Sequence, residues 1–176
     1  MKPLKLLSSI FFLLFVSLLA CKDKDKGKEE GTKKTDDVTA KNIEVTKSFY
    51  NMFEKGDWPG IEKIVAADIA DHSPMNPPGS PFNRDTLMKY LKMNKEAFPD
   101  IKFEILTLAG NDDKVFIQYH FTGTNTGPMM GMPANNKKVD YTGVDLIRFK
   151  DGIASEHWDY GDNITFMKQM GMMPEQ

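Results

Sequence analysis

Three polar residues near the end of the chain have the types and spacing needed for acid–base chemistry. His157 and Asp159 are two positions apart in residues 153–160, whose alternation predicts a strand, so both side chains lie on one face. Residues 139–149 predict the preceding strand of a hairpin and place Asp145 on an otherwise apolar face. If the two faces coincide, two carboxylates and an imidazole share an apolar pocket.

Such a pocket suits proton transfer next to a carbonyl group. Removal from water and mutual repulsion raise the pKa of a carboxyl group toward neutral pH, and a neighbouring group stabilises the charge that forms. The same spacing is also typical of a solvent-facing strand with ordinary charges. The sequence alone leaves both interpretations open.

The remaining candidates have weaker patterns. His72 precedes a Ser-Pro turn and fits either a pocket mouth or a loop cap, and His120 in a predicted strand fits cross-strand packing or solvent exposure. No helical His-x-x-x-His or Glu-x-x-His spacing occurs, so no metal site is expected. Six methionines suit a ligand cavity, a core or an exposed loop equally: Met129, Met130, Met132, Met170, Met172 and Met173.

The secondary structure that must position these residues is predicted to change from helices to strands along the chain. Apolar residues recur at helical spacing before Pro99 and at every second position after it. A helical segment with a possible cap at Asp162 and a stop at Gly171 closes the chain. Three helices on an antiparallel sheet make an α+β domain. The predicted helices cover residues 39–55, 58–67, 84–97 and 164–170, and the predicted strands residues 101–106, 115–122, 139–149 and 153–160.

The N-terminus has the pattern of a bacterial lipoprotein signal. Residues 6–20 are apolar apart from three serines, which is too short for a spanning helix, and the run ends in Leu18-Leu19-Ala20-Cys21, which resembles a lipobox. We therefore expect a signal peptide over residues 1–20, a lipidated Cys21 and a membrane-anchored domain outside the cytoplasm. The alternative is an ordinary signal peptide, or an uncleaved anchor helix, with an incidental cysteine.

Composition divides the rest of the chain. Residues 21–38 are almost entirely polar and predict a lipidated flexible tether, which leaves residues 39–176 as one domain. The net charge of −2 gives no basic face for nucleic acid. Cys21 is the single cysteine, so stability must come from a core rather than from disulfides.

Several motifs then resemble those of one family. The features are Phe98-Pro-Asp-Ile, Gly123-Thr-Asn-Thr-Gly127, Gly131-Met-Pro133, residues 145–152 and residues 156–162, together with the Asp71-His72-Ser-Pro74 turn. As a set they resemble the SnoaL-like polyketide cyclase, or ester cyclase, family. The resemblance implies a nuclear transport factor 2-like cone: a curved antiparallel sheet closed by about three N-terminal helices and a short C-terminal helix over a deep pocket.

The resemblance also implies roles for individual residues. Asp159 matches the general acid/base of the characterised cyclases, which use neither metal nor cofactor, and His157 matches a histidine beside it. Asp145 stands where those enzymes have another pocket histidine, which alters the substrate charge that the pocket accepts. Substrate contacts are expected from His72, Asn125, Tyr119 and Trp158. The fold often pairs through its sheet, so a homodimer is a further expectation.

Two functions of different class follow. The first is a cofactor-independent enzyme acting on a small, apolar carbonyl compound. The second is a non-catalytic envelope lipoprotein that binds a small apolar ligand in the same pocket, and it is favoured by the lipoprotein signal and the altered pocket positions.

Overall fold

A computed structural model describes residues 26–74, 76 and 79–173. The predicted signal peptide and Cys21 lie outside these residues. Within the described part of the chain, no helix combines the length and the apolar character needed to cross a bilayer.

The described residues form four helices and one five-stranded, curved sheet, in the predicted α+β class. The strand order across the sheet is β1-β5-β4-β3-β2. The helices are α1 (Lys26–Lys55), α2 (Trp58–Ile64), α3 (Arg84–Ala97) and α4 (Asn163–Met170). The strands are β1 (Val65–Asp71), β2 (Lys102–Asn111), β3 (Lys114–Thr124), β4 (Lys138–Lys150) and β5 (Ile153–Asp159).

Polar side chains fix the helix starts. Asp57, Asn83 and Asp162 cap α2, α3 and α4, each accepting a hydrogen bond from a backbone N–H three residues later at 2.9 to 3.1 Å. Helix α4 ends at Gly171, whose φ of 73° is the left-handed conformation that glycine adopts without a side-chain clash. The caps predicted at Asp162 and Gly171 are therefore present.

Helix α1 begins well before the predicted start at residue 39. It begins at Lys26 and includes most of the segment that composition assigned to a flexible tether. Lysine and glutamate are good helix formers, so a helix held by its packed C-terminal half extends readily through a polar stretch.

Strand β1 was not expected from the sequence. Residues 65–67 were predicted to end the second helix, whereas α2 stops at Ile64 and Val65 begins a strand. The three alanines of Val-Ala-Ala-Asp-Ile-Ala-Asp favour helix by propensity, but Val65 and Ile69 are buried in the core, and tertiary packing overrides that preference.

Strand β1 also changes the character of the sheet. The pairs β2–β3, β3–β4 and β4–β5 are antiparallel, as predicted, but β1 pairs parallel with β5 and brings Asp71 beside His157. The sheet is therefore mixed rather than antiparallel. Helix α1 packs on β2 and β3, α3 on β1, and α4 on β4, so the apolar core lies between the helices and one face of the sheet.

Candidate functional site

The β4–β5 hairpin brings the three polar candidates to one face. Asp145 lies directly opposite Asp159, and Ile147 directly opposite His157, and all four line the same cavity. A bulge after Arg148 shifts the register by one residue, so Ala154 rather than Ser155 faces the cavity. The faces of the two strands coincide, and the solvent-facing alternative is wrong.

The cavity has two adjoining chambers. The inner chamber, of about 210 Å³, lies between α1, α3 and the sheet, and its walls are largely aromatic and aliphatic. The outer chamber, of about 340 Å³, is rich in methionine, including Met129, Met130 and Met172. His157 and Asp159 line both chambers. A ligand that passes from one chamber to the other therefore passes the acid–base groups.

His157 lies between two carboxylates. Its Nδ1 is 3.4 Å from Asp71 Oδ2, and its Nε2 is 3.4 Å from Asp145 Oδ2. Burial alone would lower the pKa of His157, but the charges and hydrogen bonds of Asp145 and Asp71 outweigh it and raise the pKa to about 10. At neutral pH His157 is an imidazolium, which makes it a fixed cation rather than a proton carrier.

Asp71 is held in place by the turn that follows β1. The backbone N–H of Ser73 donates to Asp71 Oδ1 at 2.6 Å, and Ser73 Oγ accepts from the backbone N–H of Asp159 at 3.1 Å. Burial would raise the pKa of Asp71, but the hydrogen bonds from His157 and Ser73 outweigh it and lower the pKa. Asp71 is thus a permanent anion that fixes the position of the His157 ring.

Asp159 has a different environment from Asp71. Burial, followed by the charge of Asp145, raises the pKa of Asp159 to about 6, and the nearby His157 imidazolium only partly offsets the rise. Its one side-chain donor among the described residues is the Tyr119 hydroxyl, at a long 3.5 Å. Asp159 therefore changes its charge close to physiological pH, as a general acid or base needs to do.

Two tyrosines complete the polar end of the inner chamber. The Tyr50 hydroxyl, from α1, donates to Asp145 Oδ2, and Tyr119, from β3, approaches Asp159. Burial, strengthened by the charge of Asp145, raises the pKa of both phenols well above the usual value. Both remain neutral hydrogen-bond donors throughout the physiological range.

Asp145 has one satisfied and one unsatisfied oxygen. The residue is 7% exposed, and its Oδ2 meets Tyr50 and His157. Its Oδ1 is buried and has no donor among the described residues. A buried carboxylate oxygen without a donor is costly, so this atom needs an explanation.

Of the predicted substrate-binding residues, only Tyr119 lines the inner chamber. His72 and Trp158 stack on each other, with ring centroids 4.4 Å apart, and neither belongs to the cavity wall. His72 Nε2 lies 2.9 Å from Glu156 Oε2, on the face opposite the cavity. Odd and even positions of β5 point to opposite faces, and the bulge does not alter this beyond residue 156.

Asn125 has a structural environment. It is fully buried, its amide donates to the backbone carbonyls of Ala97 and Gly127, and its Oδ1 accepts from the backbone N–H of Asn135. These bonds hold the loop after β3 against the end of α3. Asn125 does not line the cavity.

Sequence reasoning missed Asp71, Ser73 and Tyr50. Asp71 was assigned to a turn, because the strand that precedes it was not recognised. Tyr50 was assigned to the apolar stripe of α1, although a buried tyrosine hydroxyl needs a partner, and this was the available signal. No group of three or more His, Cys, Asp or Glu side chains in the described part of the chain is arranged to hold a metal ion.

Comparisons with known proteins identify similar sequences and structures. The sequence profile of the SnoaL-like polyketide cyclases matches residues 43–170. The chain is similar to IdmH of Streptomyces antibioticus, a polyketide cyclase candidate, at 26% identity and TM-score 0.65, covering 74% of this chain and 98% of that one. A polyketide cyclase candidate from Bacillus cereus gives 28% identity and TM-score 0.63, covering 76% and 83%.

Another similar structure is described by a different activity. AclR of Streptomyces galilaeus, a hydroxylase candidate, gives 25% identity and TM-score 0.68, covering 78% of this chain and 85% of that one. A comparison with curated protein sequences gives no significant match. The predicted cone-shaped fold is confirmed. Some of the similar structures are described as cyclase candidates and another as a hydroxylase candidate, so the shared fold does not specify one reaction.

Proposed function

Because the chain belongs to the SnoaL-like polyketide cyclase family, we propose that it is a cofactor-independent enzyme that transfers protons on a small, apolar carbonyl compound. Asp159 is the general acid/base. His157, Asp145 and Asp71 set its environment, and Tyr119 donates a hydrogen bond at the reacting end of the inner chamber. A small-molecule substrate agrees with the family and with an enclosed, largely apolar cavity.

One observation carries the proposal: Asp159 lies where the two chambers meet, and burial and the Asp145 charge raise its pKa to about 6. Two ionisable groups beside it hold constant charges at neutral pH. His157 stays protonated and Tyr119 stays neutral, so Asp159 is the group in this cluster that exchanges a proton without a large energetic cost.

The neighbouring groups suit an enolate-forming step. The ionised Asp159 carboxylate accepts a proton from the carbon next to a carbonyl. The carbonyl oxygen gains negative charge, which the His157 imidazolium and a tyrosine hydroxyl stabilise in a site that excludes most water. The apolar chambers bind the rest of the molecule and exclude bulk solvent from the enolate.

The test is solvent deuterium incorporation into a panel of small β-keto esters and aryl ketones, followed by NMR. We expect the wild-type protein to exchange the α-proton of at least one compound and Asp159→Asn to lose at least about 100-fold in rate. Asp140→Asn is the matched control, since Asp140 is an exposed aspartate on β4, and it should keep the wild-type rate. Wild-type exchange by Asp159→Asn would exclude this role.

A non-catalytic binding function is the second candidate. The methionine-rich outer chamber favours it, because flexible thioether side chains adapt to different apolar ligands without any chemistry. Native mass spectrometry of freshly purified protein separates the two functions. A co-purifying compound that stays chemically unchanged on incubation supports binding, and conversion of an added compound supports catalysis.

We also propose that the domain works outside the cytoplasm, anchored to a bacterial membrane through a lipidated Cys21. Support comes from the apolar run that ends in Leu18-Leu19-Ala20-Cys21 and from the absence of any other cysteine. Metabolic labelling with an alkyne fatty acid should mark the full chain and not Cys21→Ser. An unlabelled wild-type chain, or a Cys21→Ser chain that is still labelled, would refute the anchor.

A further inference from the structure

The unsatisfied oxygen of Asp145 belongs to a residue with a specific neighbour across the hairpin. Asp145 and Asp159 are directly opposite each other on β4 and β5, and both line the same cavity. The charge of Asp145 contributes to the raised pKa of Asp159, so the two carboxyl groups interact. Asp145 Oδ1 has no donor among the described residues, and Asp159 has no cation of its own beyond the shared His157. Two carboxylates in this arrangement are satisfied only when one of them carries a proton.

From this geometry we propose that Asp145 and Asp159 form a one-proton carboxyl pair, in which the protonated Asp159 donates its hydrogen bond to Asp145 Oδ1. The inference rests on the proposed acid–base function and deepens it. Asp145 is a positioning residue, because it acts on the substrate only through Asp159.

The rest of the site polarises the pair in one direction. The Tyr50 hydroxyl and the His157 imidazolium both meet Asp145 Oδ2, so the negative charge is stabilised on Asp145. Asp159 receives only the long Tyr119 contact, at 3.5 Å. Whenever the pair carries a proton, that proton therefore resides on Asp159, the member that lines both chambers. The ionisable groups facing the pair are Tyr50 from α1, Asp71 from β1, Tyr119 from β3, Tyr141 from β4 and His157 from β5.

The pairing specifies the class of reaction. A substrate C–H bond breaks, its proton forms an O–H bond on Asp159, and the electron pair moves to the carbonyl oxygen as an enolate. Asp145 Oδ1 holds the new proton in place until Asp159 returns it to another carbon or oxygen of the same molecule. Over the whole cycle no net proton is gained or lost, because a proton that exchanges with solvent on Asp159 is replaced by another, and no water is consumed. The pair thus suits proton relocation within one substrate, such as isomerisation or ring closure by an aldol addition, rather than hydrolysis.

The test is an NMR titration of protein labelled with 13C at the aspartate carboxyl groups, with no substrate present. In the wild-type protein we expect a midpoint near pH 6 for Asp159 and a step at the same pH in the Asp145 resonance. In Asp159→Asn the step at Asp145 should vanish. In Asp145→Asn the Asp159 midpoint should fall toward the ordinary aspartate range.

Asp71→Asn is the matched control, because it also removes a carboxylate from His157 but not the one opposite Asp159. It should keep the step at Asp145 and lower the Asp159 midpoint less than Asp145→Asn does. An Asp145 resonance without a step near pH 6, or an unchanged Asp159 midpoint in Asp145→Asn, would overturn the pairing. The wild-type titration decides the question even if a variant does not fold. Because no turnover is involved, a confirmed pair with no α-proton exchange would reject the enzyme and retain the pair.

Discussion

His157 Nε2 lies 3.4 Å from Asp145 Oδ2, and this contact is half of a bridge in which one imidazolium joins two buried carboxylates. The bridge links β1, β4 and β5 through their side chains at the centre of the cavity wall. It makes the acid–base site part of the framework that stabilises the fold.

Replacement of His157 by glutamine should destabilise the protein by about 3–5 kcal/mol, because it leaves Asp71 and Asp145 buried without a cation. The effect should depend on pH. The folded protein keeps the His157 proton up to about pH 10, whereas the unfolded chain releases it near 6.5. The stabilisation is therefore complete below pH 6.5 and is lost as the pH rises toward 10. Urea unfolding of wild type and variant at pH 6, 8 and 10 measures the difference.

His120 provides the matched control for that experiment. It also lies between two carboxylates, with Nε2 2.7 Å from Asp140 and Nδ1 3.6 Å from Glu104, but on the solvent-facing side of the sheet. His120→Gln should cost less than about 1 kcal/mol, as is usual for exposed ion pairs. Equal losses for the two variants would contradict the buried bridge.

Asp159→Asn should make the protein more stable at neutral pH, in contrast to its effect on activity. The pKa of Asp159 is raised from 3.8 in the unfolded chain to about 6 in the folded protein. The folded state therefore binds this proton more tightly, and the free energy of unfolding falls as the pH rises from 3.8 through 6. The uncharged amide avoids that loss, so we expect a gain of about 1–2 kcal/mol at pH 7.5.

The gain should fall below about 0.5 kcal/mol at pH 3.8, where Asp159 is protonated in the folded protein and half protonated in the unfolded chain. Urea unfolding at pH 7.5 and pH 3.8 measures it, provided that the wild-type protein remains folded at the lower pH. A destabilised Asp159→Asn variant at pH 7.5 would show that the ionised carboxylate contributes favourably to the fold.

The rate of α-proton exchange should rise with pH through a midpoint near 6, because the base is the ionised form of Asp159. The rate should not fall again near pH 7, since His157 keeps its proton to about pH 10. A profile of kcat/KM from pH 4.5 to 9 measures both the rise near pH 6 and the constant rate above pH 7. A rate that is flat from pH 5 to 7 would assign the base to another group.

Gly143 should not tolerate a side chain. A Cβ at this position would overlap the Tyr119 ring and hydroxyl, which would have to move away from Asp159. We expect Gly143→Ala to cost about 1–3 kcal/mol and to lower the exchange rate through the displaced hydroxyl. At Gly161 an added Cβ would make only ordinary contacts of 3.4 Å or more, so Gly161→Ala should change stability by less than about 0.5 kcal/mol. Thermal unfolding of the two variants compares them.

The sequence predicted the half of the site that depends on local geometry. Asp145, His157 and Asp159 belong to one hairpin joined by a tight turn, and period-two alternation determines their shared face before anything else is known. Alternation also predicts that Ser155 shares the face of His157 and Asp159, and this prediction is wrong. A bulge after Arg148 interrupts the alternation, and no residue type near Arg148 indicates that a bulge forms there.

The other half depends on contacts between distant segments, which alternation does not encode. Asp71 reaches His157 only through the parallel pairing of β1 with β5, and the β1 sequence resembles the end of a helix. The Ser-Pro turn and the resemblance together predicted His72 at the pocket, and the resemblance predicted Asn125 there. His72 lies on the opposite face of the sheet from His157, and the side-chain amide of Asn125 is hydrogen-bonded to backbone groups. The direction of the His72 side chain and the hydrogen bonds of Asn125 therefore place both residues outside the pocket.

Strand β1 has a single neighbour in the sheet, and that neighbour is the last strand of the chain. Strands β2 to β5 join through successive antiparallel pairs, which form early because the segments are close in sequence. Strand β1 can pair only after β5 has joined the sheet. The entropic cost of closing such a long loop is offset only by the contacts of the completed sheet. We therefore expect the Asp71–His157 contact to be among the last to form as the chain folds. A partly folded chain then has no oriented imidazolium, and on the proposed function proton transfer begins only when folding ends.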